Sequence, residues 1–197
     1  MVGCDGGCDL ARDKPTASCH AANPMRQLLL LRHAKSSWDD PKIDDHARPL
    51  NARGRRNAAA LRQTMQNLNL LPDLVLVSTA RRTQETLEAL EPWEETPLIE
   101  PMDRLYLADA PSLLGILQAT AETVRSLLLI AHNPGLHELA GLLLGDAGRA
   151  PNDEATRTLA EGFPTCGLAE FTVRSWSGLG PGSARLERFI DPRQTEG

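Results

Sequence analysis

Two histidines and two arginines carry the chemistry that this sequence has to offer. His33 follows the run Leu28-Leu29-Leu30-Leu31-Arg32, His132 follows Leu127-Leu128-Leu129-Ile130-Ala131, and Arg82 stands four residues beyond the end of Leu74-Val75-Leu76-Val77-Ser78. A neutral imidazole is a competent nucleophile near pH 7, where a serine hydroxyl needs a separate base. Guanidinium groups present permanently charged planar forks that match the oxygens of phosphate. A nucleophilic ring with a second imidazole and two fixed cations can seize a tetrahedral anion, accept its central atom, and stabilise the charge that develops during transfer.

The elements that must position these groups are short. Each of the three apolar runs is too brief for a helix and lacks its period, so each predicts a strand buried on both faces. Parallel strands joined by helical crossovers bring their carboxyl ends to one edge of the sheet, where ligands bind in open α/β folds. Asn51 can cap a helix whose apolar residues Ala58, Leu61, Met65 and Leu68 recur at three and four positions. Arg53, Arg55, Arg56 and Arg62 fall largely off that face and read as solvated. A second helix starts near Thr79, which sets Arg81 and Arg82 at its anion-attracting end. Pro97 to Ile99 reads as a further strand, Ser112 to Leu117 as the start of a helix with Pro111 in its first turn, and Leu136 to Leu143 as another. Gly167 to Arg174 and Arg185 to Ile190 read as the last strands, joined by a glycine- and serine-rich turn. The polar segment from Gly145 to Gly162 reads as a flexible insertion.

The chain has 197 residues, 41% of them hydrophobic and 24% charged, which predicts one soluble domain over residues 25–197. A net charge of -5 argues against a nucleic-acid binder, and no apolar run is long enough for a membrane span. Residues 1–24 hold three of the four cysteines and no apolar period, and they read as a disordered tail. Cys4, Cys8, Cys19 and His20 lack the spacing of a zinc site, so no metal is expected, and Met25 is a candidate natural start. Without an export signal or a pairing scheme for the thiols, a cytoplasmic location is expected.

The blocks around the four site residues carry a resemblance. Leu31-Arg32-His33-Ala34 is similar to the R-H-G/A signature of the histidine phosphatase, or phosphoglycerate mutase-like, superfamily. Five blocks in order resemble its SixA-like phosphohistidine phosphatase branch: Arg32 to Trp38, Asp45 to Gly54, Val77-Ser78 with Arg82, Ala131 to Pro134, and Phe163-Pro164-Thr165. The resemblance implies an α/β three-layer sandwich with a mixed, mostly parallel sheet flanked by helices. It also implies transient phosphorylation of His33, with Arg32, Arg82 and His132 around the transferred group and no cofactor. Lys35, Ser36, Asp45 and Asn133 are the candidates for contact with substrate, with His46 in the same loop. His137 reads as packing or surface. The expected partner is a phosphohistidine protein or a small phosphate ester.

A phosphomonoesterase, a mutase-type isomerase and a catalytically silent phosphate-binding protein are the alternatives. Mutases of the superfamily have an acidic residue soon after the arginine motif, and Pro101-Met102-Asp103-Arg104-Leu105-Tyr106 gives no convincing match to it. A site lacking a dedicated acid favours phosphohistidine, whose leaving group becomes neutral on protonation, over alkyl esters. Asp103, Glu100 and Asp45 are the carboxylates that could fold back and serve as that acid.

Overall fold

The protein is described by a computed structural model covering residues 25–146 and 153–192. The expectations for the tail and its cysteines lie outside the described residues.

Six strands form one sheet: β1 (Arg26–Arg32), β2 (Leu74–Ser78), β3 (Leu98–Met102), β4 (Ser126–Ala131), β5 (Leu168–Val173) and β6 (Ala184–Ile190). Their order is β3-β2-β4-β1-β5-β6. The first four are mutually parallel, whereas β5 runs antiparallel to β1 and β6 antiparallel to β5. Five helices complete the architecture: α1 (Ala52–Asn67), α2 (Arg81–Leu90), α3 (Ala110–Gln118), α4 (Gly135–Leu144) and α5 (Glu154–Glu161).

The leucine runs are continuous because the central strands are covered on both sides. Leu28, Leu30, Leu127 and Leu129 point into a core shared with Leu113, Leu117, Leu136 and Leu139 of α3 and α4. Their neighbours Leu29, Leu31, Leu128 and Ile130 point the other way, against Ala58, Leu61, Met65, Leu87 and Leu90 of α1 and α2. Side chains alternate along a strand, so one apolar run feeds two cores and yields three layers. All eight of these strand residues lie in β1 and β4, which pair in parallel from Gln27 with Ser126 to Arg32 with Ala131.

Asn51 caps α1 as expected, its side chain accepting from the Gly54 amide at 2.8 Å. Arg53, Arg55 and Arg56 are exposed. The segment from Gly145 to Gly162 departs from expectation. Its second half is α5, capped by the Asp153 carboxylate, which accepts from the amides of Ala155 and Thr156. Leu159 is buried on its inner face, so one apolar residue and a cap suffice for two turns that a polar composition concealed.

Candidate active site

β1 and β4 end side by side, and their next residues are His33 and His132. The two imidazole centroids are 5.1 Å apart. The end of β1 is fixed from three directions. The His33 amide donates to Ala131 O, the Cys166 amide donates to the carbonyls of Arg32 and His33, and the Ala34 amide donates to Thr86 Oγ1 in α2.

His33 is 8% exposed, and its Nδ1 lies 2.8 Å from Ala34 O. A carbonyl only accepts, so Nδ1 carries the hydrogen and Nε2 keeps its lone pair. Burial pushes the ring down to about 4, the Arg82 and Arg32 charges add to the effect, and the bond to Ala34 opposes it. At neutral pH the ring is therefore uncharged, with one nitrogen free to attack.

His132 is oriented by the same logic. Arg82 Nη2 donates to its Nδ1 at 3.3 Å, which leaves Nε2 to donate to Ser78 Oγ at 2.8 Å. Burial lowers this ring to about 3, with further contributions from His33 and Arg82. Arg82 is buried, at 4% exposure, whereas Arg81 lies on the surface in an ion pair with Glu85. The buried arginine is held by the loop after β1: its Nη1 donates to Asp45 O at 2.5 Å and its Nη2 to Asp45 Oδ2 at 3.0 Å. Arg32 Nη1 donates to Phe163 O at 2.7 Å, and Asn133 Nδ2 donates to the same carbonyl at 3.0 Å.

The four central groups converge, while the substrate candidates divide. Asp45 is the counter-ion of Arg82. Partial burial raises its carboxyl, but the Tyr106 hydroxyl at 2.7 Å and the Arg82 charge outweigh this and hold it below the carboxylate range. Such a group stays ionised and anchors a cation instead of donating a proton. Asn133 is committed to the Phe163 carbonyl. Ser36 is buried in a bridge with Leu50. Lys35 is exposed and lines a small cavity of about 160 Å³ with Arg53, Asn57 and Thr165. His137 packs as expected, with Nε2 donating to Leu159 O at 2.8 Å. Glu100 is exposed on β3 and borders a separate cavity of about 370 Å³ with Asp73, Leu98 and Val124, near the amino-terminal ends of the strands. Asp103 does turn toward the site, but its carboxylate accepts from Thr79 Oγ1 at 2.7 Å. No cluster of three or more histidine, cysteine or acidic side chains suited to a metal occurs among the described residues.

Tyr106 is the residue that sequence reasoning overlooked. Its ring meets His132 edge-on at 5.5 Å, its hydroxyl donates to Asp45, and Arg82 lies 5.8 Å above it. As the only tyrosine in the chain, directly after the last residues of β3 and their 3-10 turn, it was the available signal.

Comparison with known proteins places the chain in a family and a fold. Residues 28–106 match the model of the histidine phosphatase superfamily (branch 1). An uncharacterized protein of Mycobacterium leprae is 33% identical over 167 residues, covering 83% of this chain and 100% of that protein. Among solved structures, a SixA from Agrobacterium tumefaciens, itself a candidate phosphohistidine phosphatase, is 30% identical with a TM-score of 0.72, covering 85% of this chain and 98% of that one. The protein histidine phosphatase SixA solved with tungstate shares the fold, with a TM-score of 0.68 at 24% identity over 86% of this chain and 99% of that one.

Proposed function

Because the chain belongs to the histidine phosphatase superfamily, we propose that it is a metal-independent phosphohydrolase acting through phospho-His33, with phosphohistidine on a protein as its substrate. The observation that carries this reading is the state of His33. A ring kept neutral by burial, with Nδ1 bonded to Ala34 O and Nε2 unprotonated, is a nucleophile prepared before substrate arrives.

In this reading Nε2 attacks phosphorus in line with the leaving group, and Nδ1 keeps its hydrogen, donated to Ala34 O, throughout. Arg32 and Arg82 face the three equatorial oxygens, where charge is spread in the transition state. His132, whose Nδ1 accepts from Arg82, adds a further donor to those oxygens through the Nε2–H that Ser78 accepts in the free site. Water then attacks the phosphorylated ring and releases phosphate. Positioning and charge neutralisation do most of the work, because phosphoryl transfer asks for little covalent chemistry beyond the nucleophile. The likeness to the SixA protein of Agrobacterium tumefaciens supports phosphohistidine, a phosphoramidate, over phosphate esters.

The test is a direct comparison of kcat/KM for phosphohistidine peptides, phosphoserine peptides and small phosphate esters, with trapping of the labelled enzyme by an alkaline detergent quench. The expected result is a preference for phosphohistidine and an acid-labile, alkali-stable label confined to His33, absent in His33→Asn. A label on any other residue, or full turnover by His33→Asn, defeats the mechanism.

A further inference from the structure

The residues that bear on leaving-group protonation form a chain of their own beside the four central groups. Ser78 and Thr79 are consecutive at the end of β2. The Ser78 hydroxyl receives His132, and the Thr79 hydroxyl lies 3.1 Å from Nε2 of His46. Thr79 Oγ1 spends its single hydrogen on Asp103 Oδ1 at 2.7 Å, so it can only accept from the histidine. The direction of the chain is thereby fixed: His46 Nε2–H to Thr79 Oγ1, and Thr79 O–H to Asp103. Nδ1 of His46 has no hydrogen-bond partner among the described residues. It is the ring nitrogen that the protein leaves uncommitted.

The ring is also held rigidly. The His46 amide donates to Asp44 Oδ1 at 2.9 Å, its carbonyl accepts from the Arg81 amide at 2.9 Å, and its ring meets Tyr106 edge-on at 4.8 Å. Tyr106 also meets His132 edge-on at 5.5 Å, so one phenol ring touches both imidazoles. The preceding residue, Asp45, is the anchor of Arg82. His46 therefore lies at the rim of the site on the wall that holds Arg82.

The other titratable groups nearby are already committed. Asp45 is an ionised counter-ion, the Tyr106 hydroxyl is pushed up by burial and by its bond to Asp45, and His132 is held neutral. We infer that His46, oriented by Thr79 and Asp103, is the proton donor to the leaving group. Thr79 and Asp103 are positioning residues. This rests on the phosphohydrolase reading above.

His46 begins as the imidazolium, with Asp103 as its counter-charge through Thr79. The His33 Nε2 lone pair forms the N–P bond as the P–O or P–N bond to the leaving group breaks. The departing electron pair takes the proton from His46 Nδ1, which leaves His46 neutral with Nε2–H still on Thr79. In the second half, water attacks phospho-His33, His46 Nδ1 takes the water proton, and the imidazolium is restored as hydrogen phosphate leaves. An acid carried by the loop after β1 replaces the acidic residue sought after β3, and the carboxylate there, Asp103, acts through two intermediaries.

A series of phosphate monoesters with increasingly basic leaving groups tests this: p-nitrophenyl, phenyl and glycerol phosphate, measured with wild type, His46→Gln, Thr79→Val and Asp103→Asn. Glutamine keeps an N–H for Thr79 but has no proton to give at the Nδ1 position. The expected result is that His46→Gln lowers the ratio of glycerol to nitrophenyl phosphate turnover by about 10²-fold, the usual worth of general acid catalysis. The two positioning variants lower the same ratio by about 10-fold, with His46 still in place. Equal losses across the series in His46→Gln would overturn the inference while leaving the nucleophilic mechanism standing. A wild type that hydrolysed none of the esters and no phosphohistidine would instead remove the phosphohydrolase reading, and this one with it.

Discussion

Two buried neutral histidines should make the protein acid-sensitive in a window where few other groups titrate. His33 and His132 have folded-state pKa values of about 4 and about 3, and each returns to its ordinary 6.5 on unfolding. Between these limits the unfolded chain binds protons that the folded chain refuses, so stability is full above about pH 7 and falls as the pH drops through 6.5. Linkage over that interval gives a loss of about 2 kcal/mol per ring by pH 5, hence about 4 kcal/mol for the pair. The carboxylates held below their ordinary range, Asp45, Asp109, Glu122 and Asp153, contribute only under about pH 4.5, outside the window. Urea unfolding at pH 7.5 and pH 5.0 is the assay. With a denaturant slope of about 2 kcal/mol per molar, each ring corresponds to about 1 M in the midpoint. His33→Asn keeps a donor for Ala34 O, and His132→Gln keeps one for Ser78. Each variant should therefore lose about half of the wild-type pH dependence, whatever its stability at pH 7.5. Wild-type midpoints that coincide at the two pH values, or variants whose shift equals that of the wild type, would refute the neutral-histidine argument.

Three further outcomes are expected. Asp45→Ala removes one of the two anchors of Arg82, and kcat should fall about 10-fold, consistent with about 1.4 kcal/mol for a charged hydrogen bond at a partly exposed site. Arg82→Ala removes the guanidinium itself and should cost about 10²-fold or more in kcat in the same steady-state assay. Gly54→Ala should destabilise the fold by roughly 1–3 kcal/mol in thermal unfolding, because its Cβ would stand 2.2 Å from Lys35 O and push α1 away from the strand end that carries His33.

Much of the scaffold could be read in the sequence because it depends on local pattern. The leucine runs are buried on both faces, and that is why they lack alternation and stand out. Of the two adjacent arginines at the start of α2, Arg82 lies under the loop after β1 and Arg81 on the surface. What escaped notice depends on contacts between distant segments. Asp45 and Asn133 were grouped with substrate contacts, but one holds Arg82 across 37 positions and the other shares Phe163 O with Arg32 across 30. No spacing in the sequence encodes those pairings. The missing acid is the same kind of case. Asp103 was considered as a direct donor, and only the fold places Thr79 and His46 between it and the site. The helix at Glu154–Glu161 was hidden for a different reason, because a cap and one buried leucine leave almost no periodic signal.

The position of β4 has a consequence for how the protein must be made. It is inserted between β1 and β2, which never pair within the sheet, so before residues 126–131 are in place the end of β1 meets α2 only through Ala34 with Thr86 and Asp45 with Arg82. The end of β1 is then closed by the Cys166 amide, which arrives still later. A nascent chain holding β1, α1, β2 and α2 contains His33 and Arg82 but lacks His132 and the amide that closes the end of β1. Long-range parallel pairing is slow and exposes apolar strand edges while it waits. During synthesis the two leucine-rich edges that await β4 are the surfaces most in need of protection, and the first turnover reports that the last strand pairings have formed.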